Sequence, residues 1–118
     1  MRHNESKIQI DCVTWFRLQY PRLKKLLFSI PNGYQTSASQ ARIAKAEGLT
    51  AGVSDLILLF PSAHHHALCI EMKTKTGRQQ PSQKEWQQQV EWAGYKYVVC
   101  HSFDEFRQAI NDYLHHDK

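Results

Sequence analysis

The sequence has no long apolar run, and this absence argues against a membrane-spanning helix. Its longest run, Leu56–Phe60 with Pro61 counted, is six residues long, whereas a helix needs about 20 apolar residues to cross a bilayer. The amino-terminal segment is polar and is followed by no apolar stretch, so we also expect no secretory signal.

Cysteine is scarce as well. The three cysteines, Cys12, Cys69 and Cys100, are an odd number and form no Cys-x-x-Cys pair. Each lies in an apolar stretch, so we expect buried free thiols in a reducing compartment. The sequence also has no Gly-rich phosphate loop and no motif of a catalytic nucleophile.

The composition is that of an ordinary soluble globular protein. With 118 residues, 42% of them hydrophobic and 22% charged, we expect one domain that spans residues 1–118. The net charge of +4 is compatible with a polyanionic partner. It understates the basic surface if several acidic residues point inward.

Hydrophobic periodicity and turn residues predict the element order αβαββαβα, an α/β fold (α+β with a mixed sheet). Three serine-led capping boxes start helices: Ser37 with Gln40, Ser82 with Glu85, and Ser102 with Glu105. The short connection between the second and third strands predicts an antiparallel hairpin. The predicted helices cover about 5–20, 38–47, 83–93 and a last segment after Ser102, and the predicted strands about 26–30, 55–60, 67–72 and 95–100.

Two apolar strands carry charges where apolar residues would be the simpler choice. Asp55 begins one strand, and Glu71 and Lys73 end the next. Residues two apart share a strand face, and Asp55 in the hairpin partner can lie on the same side. Two neighbouring carboxylates repel unless a cation lies between them, and oxygen ligands favour Mg²⁺ or Mn²⁺. This arrangement suits a metal-dependent phosphodiesterase in which Lys73 stabilises charge on the phosphate.

The alternative is a cross-strand charge pair on a solvated face, which is common. Ile57, Leu59 and Cys69 share the face with the charges. Because a solvated face is seldom so apolar, this composition favours a functional site.

Glu5 and Gln83 extend the pattern to two helices. Each precedes the apolar residues of its predicted helix by three and seven positions, which places it on the inward stripe. The alternatives are a first-turn acid that meets the helix dipole and a partly exposed glutamine.

A basic, hydroxyl-rich loop covers residues 74–81 and contains Lys75 and Arg78. Such side chains suit phosphate contacts, which position a nucleic acid without specifying its sequence, although a solvated loop has the same composition. The candidate nucleic-acid-binding residues are Lys75, Arg78, Lys84 and Asn32.

Taken together, these segments closely resemble the VRR-NUC domain, a family of the PD-(D/E)xK nuclease superfamily, over nearly the whole chain. The matching motifs are Asn32-Gly33, Gly48-x-x-x-Gly52-Val53-Ser54-Asp55, Glu71-Met72-Lys73-Thr74, Gly77, Ser82-Gln83 and Gly94-Tyr95. One departure is Ser54, where the family usually has proline. It affects the backbone before Asp55 and not a ligand.

The resemblance implies a restriction-endonuclease-like core and divalent-metal-dependent hydrolysis of branched or flapped DNA. It makes Asp55, Glu71 and the main-chain carbonyl of Met72 ligands of Mg²⁺ or Mn²⁺, and Lys73 the catalytic lysine. Glu5 would act near the metal, in many members through water, and Gln83 would be the active-site glutamine.

Stand-alone members of this size in phages and bacteria resemble Holliday-junction resolvases and form homodimers. The resemblance therefore implies a cytoplasmic homodimer that acts on four-way junctions in DNA repair, with no membrane partner. Two alternatives stay open: a non-catalytic nucleic-acid-binding module on the same fold, or a nuclease for flaps, plain duplex or RNA.

Overall fold

The computed structural model of the protein describes residues 2–31 and 37–115, with side chains from Glu5 onward in the first range. The elements follow the predicted order αβαββαβα, and a 3-10 helix, Pro21–Leu26, adds to it. The helices are α1 Arg2–Gln19, α2 Ala38–Ala46, α3 Pro81–Trp92 and α4 Phe103–His115, and the strands are β1 Leu27–Ser29, β2 Leu56–Leu58, β3 Leu68–Met72 and β4 Lys96–Cys100.

The four strands form one mixed sheet in chain order. β1 pairs antiparallel with β2, and β2 pairs antiparallel with β3, which confirms the predicted hairpin. β4 pairs parallel with β3, and this pairing needs a crossover connection, which α3 supplies.

Helices cover both faces of the sheet, and β3 is consequently buried along its whole length. One face of β3 carries apolar side chains that pack against α1 and α4. Cys69 and Glu71 alternate with these residues and point to the other face, where Trp86 of α3 contacts Tyr97 of β4. The main core consists of Cys12, Phe16, Leu27, Leu56, Leu58, Leu68, Ile70, Met72, Cys100, Phe106, Ile110 and Tyr113.

The predicted capping boxes have three different outcomes. Ser37 caps α2 as predicted, because its hydroxyl accepts from the Gln40 N–H at 3.1 Å. Ser102 accepts from the Glu105 N–H at 3.1 Å, but the Glu105 carboxylate accepts from His101 N–H, one residue earlier than predicted.

The predicted capping box of Ser82 with Glu85 is wrong. α3 begins at Pro81, its N-cap is Gln80, and the capping box joins Gln80 and Gln83. Proline at the first helical position has its φ already set for a helix, so the helix starts before Ser82. This shift places Gln83 at the third helical position.

Cys12, Cys69 and Cys100 are free and buried, as predicted. Burial raises the pKa of the Cys12 and Cys100 thiols to about 12 and that of Cys69 to about 11. They are therefore neutral core residues at neutral pH. No helix in the described part of the chain is long and apolar enough to cross a membrane.

Candidate active site

Glu71 lies near the end of β3 and is almost completely buried, with 2% of its surface exposed. Its Oε2 accepts a hydrogen bond from Gln83 Nε2 at 2.8 Å and lies 3.6 Å from Lys73 Nζ. Its Oε1 is also buried and has no hydrogen-bond partner among the described residues. A buried carboxylate oxygen without a partner is costly, so this atom is a candidate position for a ligand.

Asp55 is held beside Glu71 by the backbone of two strands. Its Oδ2 accepts from the main-chain N–H of Met72 at 2.7 Å, and its main-chain carbonyl accepts from Ile30 N–H at 2.9 Å. The first bond fixes the carboxylate against the end of β3, next to the residue that follows Glu71. The structure thus brings together the two acids that the sequence analysis paired.

The segment before Asp55 passes very close to the start of α3. Gly52 has a φ of +87°, and a Cβ at this position would lie 2.2 Å from the main-chain oxygen of Ser82. Only glycine fits such a close approach in this conformation. Gly52 therefore sets the distance between the Asp55 segment and the helix that carries Gln83.

Gln83 has a fixed side-chain orientation. Its Oε1 accepts from the Gln80 N–H at 2.7 Å, as the third residue of a capping box does. Its Nε2 is thereby turned toward Glu71. The side-chain amide of Gln83 therefore takes part both in the helix cap and in the candidate active site.

Lys73 is the second buried charge of the site, with 8% of its surface exposed. Its main-chain N–H donates to the main-chain carbonyl oxygen of Cys100 at 2.9 Å, which extends the β3–β4 ladder by one residue. Buried lysines are rare unless they are paired, and here the ammonium group faces Glu71.

The electrostatics of this pocket disfavour a charged Glu71. Burial raises the pKa of its carboxyl to about 8, the Asp55 charge adds to the rise, and Lys73 opposes it. One ammonium group therefore does not offset the burial of Glu71 beside the Asp55 carboxylate. A divalent cation at the unpartnered Oε1 would offset it.

The residues present fit such an ion. Carboxylate oxygens are the ligands that Mg²⁺ and Mn²⁺ prefer, and Asp55 and Glu71 supply them. Among the side chains that the structure describes, no group of three or more His, Cys, Asp or Glu could hold a metal ion. Asp55 and Glu71 are the candidate side-chain ligands.

The structure gives the burial of the other predicted residues except Asn32. Glu5 is half-buried in the first turn of α1, and its role near the metal stays a prediction. Lys75, Arg78 and Lys84 are exposed, as phosphate-contacting residues need to be. Asn32 lies outside the described residues.

Two features of the site were missed by the sequence analysis. The first is the Met72 N–H, a main-chain group that no residue pattern reveals. The second is Tyr97, which faces the site: burial and the charges of Glu71 and Asp55 raise its pKa, to about 12. Gln79 Nε2 donates to Tyr97 Oη at 3.1 Å and to Gln87 Oε1 at 2.9 Å, which ties the basic loop to α3.

Comparison with known proteins agrees with this architecture. The family model described as the VRR-NUC domain matches residues 3–104. A solved structure titled "VRR_NUC domain protein" is 26% identical, with a TM-score of 0.82, and the match covers 93% of this chain and 87% of that one. No curated protein matches the chain. The matches confirm the resemblance and the fold class that the sequence predicts.

Proposed function

Because this chain belongs to the VRR-NUC family of nuclease domains, we propose that it is a divalent-metal-dependent endonuclease that hydrolyses phosphodiester bonds in branched DNA, such as four-way junctions. The observation that carries the proposal is the buried Oε1 of Glu71, which has no hydrogen-bond partner in the part of the chain that the structure describes and lies near Asp55 and Lys73. Such an arrangement is costly for a protein that needs only the fold.

In this proposal, Asp55, Glu71 and the main-chain carbonyl of Met72 hold the metal ion, and Glu5 contributes through water. When bound, Mg²⁺ or Mn²⁺ would supply the positive charge that polarises the scissile phosphate. The Met72 N–H keeps the Asp55 carboxylate in place, so the site is ordered before any ligand binds.

Lys73 is the catalytic lysine of the proposal. Its ammonium group is held in a mostly desolvated position beside Glu71, where a positive charge acts more strongly than in water. There it orients the attacking water and stabilises the negative charge that develops on the phosphate in the transition state. Gln83 positions Glu71 through its hydrogen bond to Oε2.

The DNA backbone contacts exposed cations around the site in this scheme. Lys75 and Arg78 lie in the loop that follows the catalytic lysine, and Lys84 lies in the first turn of α3. Contacts of this kind position a duplex without specifying its sequence. A homodimer would present two such sites to the two equivalent strands of a four-way junction.

A matched set of variants tests the nuclease. Purified protein is incubated with labelled four-way junction, flap, single-stranded and plain duplex DNA and with RNA, each in Mg²⁺, Mn²⁺ or EDTA. Lys73→Ala should abolish cleavage, whereas Lys45→Ala should not, since Lys45 is an exposed lysine on α2.

Each outcome decides between the proposal and its alternatives. Metal-dependent cleavage of the junction, absent in Lys73→Ala, supports a resolvase-like nuclease. Preferred cleavage of flaps, duplex or RNA would contradict the proposed substrate class but support the proposed hydrolysis of phosphodiester bonds. Binding without cleavage under every metal would leave a non-catalytic nucleic-acid-binding module.

A further inference from the structure

A groove of about 480 Å³ lies between residues 50–51 and α3, on the outside of the molecule. Its volume falls within the range of about 300–1,000 Å³ that is usual for small-ligand sites. The groove is lined by Thr50, Ala51, Trp86, Gln88, Gln89 and Trp92, among others, and we call it the α3 groove.

The α3 groove begins beside the candidate active site. Ser82 lines one end, and the next residue, Gln83, donates to Glu71. From Ser82 to Trp92 the groove follows one side of the helix for roughly 15 Å, at 1.5 Å per residue. A DNA strand with a phosphate at Glu71 and Lys73 would have its neighbouring nucleotides within reach of the groove.

Two tryptophans supply aromatic surface. Trp92 is 82% exposed, so the free protein leaves a large apolar side chain in water. Trp86 is half-buried, and its ring is held edge-on against Tyr97 with centroids 6.1 Å apart. A ring fixed in this way loses little freedom when a planar group stacks on it.

The charges of the residues that line the α3 groove indicate which part of a nucleotide it can bind. Among the described residues that line the groove there is no lysine, arginine or histidine, and Glu85 is the one with a charge. A phosphate would be repelled there, whereas a neutral base would not. Gln88 and Gln89 offer amide donors and acceptors, which can pair with the edges of different bases.

We propose that the α3 groove is a subsite for an unpaired nucleobase of the DNA substrate, next to the phosphate that is cut. This subsite rests on the proposed nuclease function. It narrows the substrate class to DNA in which bases beside the cut are free of their partners, as at a branch point. Stacking on aromatic side chains tolerates any base, so the subsite would select for structure and not for sequence.

The test asks whether the effect on binding of removing one base depends on the Trp92 side chain. Binding to a branched DNA is measured by fluorescence anisotropy in EDTA, for the wild type and for Trp92→Ala, Trp92→Leu and Trp92→Phe. The same DNA is then made with an abasic residue at successive positions on each side of the cut. Leu18→Ala is the matched control, because Leu18 is a similarly exposed apolar residue on α1.

We expect Trp92→Ala and Trp92→Leu to weaken binding by about 5- to 150-fold, the range that loss of one stacked base produces. Trp92→Phe should retain most of the affinity, and Leu18→Ala all of it. At one position, the abasic residue should weaken binding of the wild type and leave that of Trp92→Ala unchanged.

The subsite proposal would be wrong if the wild type and Trp92→Ala bound the DNA with equal affinity. It would also be wrong if the abasic residue weakened binding of both proteins equally at every position. Cleavage by the wild type in Mg²⁺ is scored separately. If the wild type cleaves but the abasic effect does not depend on Trp92, the nuclease proposal stands and the subsite is wrong. If the abasic effect depends on Trp92 but no cleavage occurs, the groove binds a base on a non-catalytic module. Absence of any binding and cleavage would overturn both.

Discussion

The side-chain amide of Gln83 joins the start of α3 to the buried carboxylate of Glu71. Its Nε2 donates to Glu71 Oε2 at 2.8 Å, while its Oε1 accepts from the Gln80 N–H at 2.7 Å. Because the capping box fixes the side-chain oxygen of Gln83, its Nε2 can donate in only one direction, toward Glu71. Folding of the helix thus orients a carboxylate of the candidate active site.

The first prediction separates this orientation from the helix cap. Gln83→Met removes both hydrogen bonds at similar volume, so we expect cleavage to fall about 10- to 100-fold, the usual effect of losing a partner of a metal ligand. Gln80→Ala removes the N-cap side chain alone and should cost roughly 0.5–1 kcal/mol of stability with cleavage retained. Cleavage rates and urea denaturation measure the two effects. Equal loss of cleavage in both variants would show that Gln83 acts only through the helix.

A second prediction concerns the charge of Asp55. Asn at this position can still accept from the Met72 N–H, so Asp55→Asn should fold with unchanged stability in EDTA near neutral pH. Its stability should exceed that of the wild type above pH ~8, where Glu71 becomes charged and would repel Asp55. Cleavage should be lost. Asp55→Ala also loses the hydrogen bond that Met72 donates and should be destabilised by roughly 1–3 kcal/mol. Cleavage by Asp55→Asn at the wild-type rate would contradict the proposed ligand role.

The pH dependence of stability follows from the raised pKa of Glu71, about 8 against an ordinary value of 4.5. The folded protein holds this proton more tightly than the unfolded chain. In EDTA, the contribution of Glu71 is therefore fully present below pH ~4.5 and declines as the pH rises toward 8. Glu71→Gln stays neutral, so its stability should decline less over this window.

Urea denaturation of both proteins between pH 5 and about 8.5 measures this difference. Addition of Mg²⁺ at the upper end of the window should stabilise the wild type and leave Glu71→Gln nearly unchanged, because a ligand that binds the folded state stabilises it. Parallel stability curves for the two proteins would show that the Glu71 carboxyl does not titrate in this range.

The sequence was sufficient to predict the element order and the proximity of Asp55 to Glu71. Glu71 interrupts an apolar strand and Asp55 directly precedes another, and an unpaired charge is costly at such positions. The short connection predicted that the two strands form a hairpin. The roles of these residues in catalysis, and those of Glu5 and Lys73, stay predictions.

The sequence was not sufficient for contacts that depend on the main chain or on packing. The Met72 N–H that holds Asp55 has no side-chain signature. At α3, Ser82 with Glu85 matched a capping box, but the fixed φ of Pro81 moved the helix start and made Gln80 the N-cap. The partner of Gln83 could not be deduced before that boundary was known.

The last prediction tests whether the spacing between the Asp55 segment and α3 matters. At Gly52, a Cβ would strike the main-chain oxygen of Ser82, 2.2 Å away, in a backbone with a φ of +87°. Gly48 has a φ of +111° and open space around it. Gly48→Ala should therefore cost only the conformational strain, about 1–2 kcal/mol, and serves as the control. Gly52→Ala carries the same strain and must also push the segment away from Ser82.

We expect Gly52→Ala to lower the urea midpoint more than Gly48→Ala does and, in the fraction that folds, to reduce cleavage. The displaced segment would carry Asp55 away from Gln83 and Glu71, and displacements of this size are costly in an active site. Gly48→Ala should cleave at the wild-type rate below its unfolding midpoint. If Gly52→Ala folded and cleaved like Gly48→Ala, the contact between Gly52 and Ser82 would not set the geometry of the site.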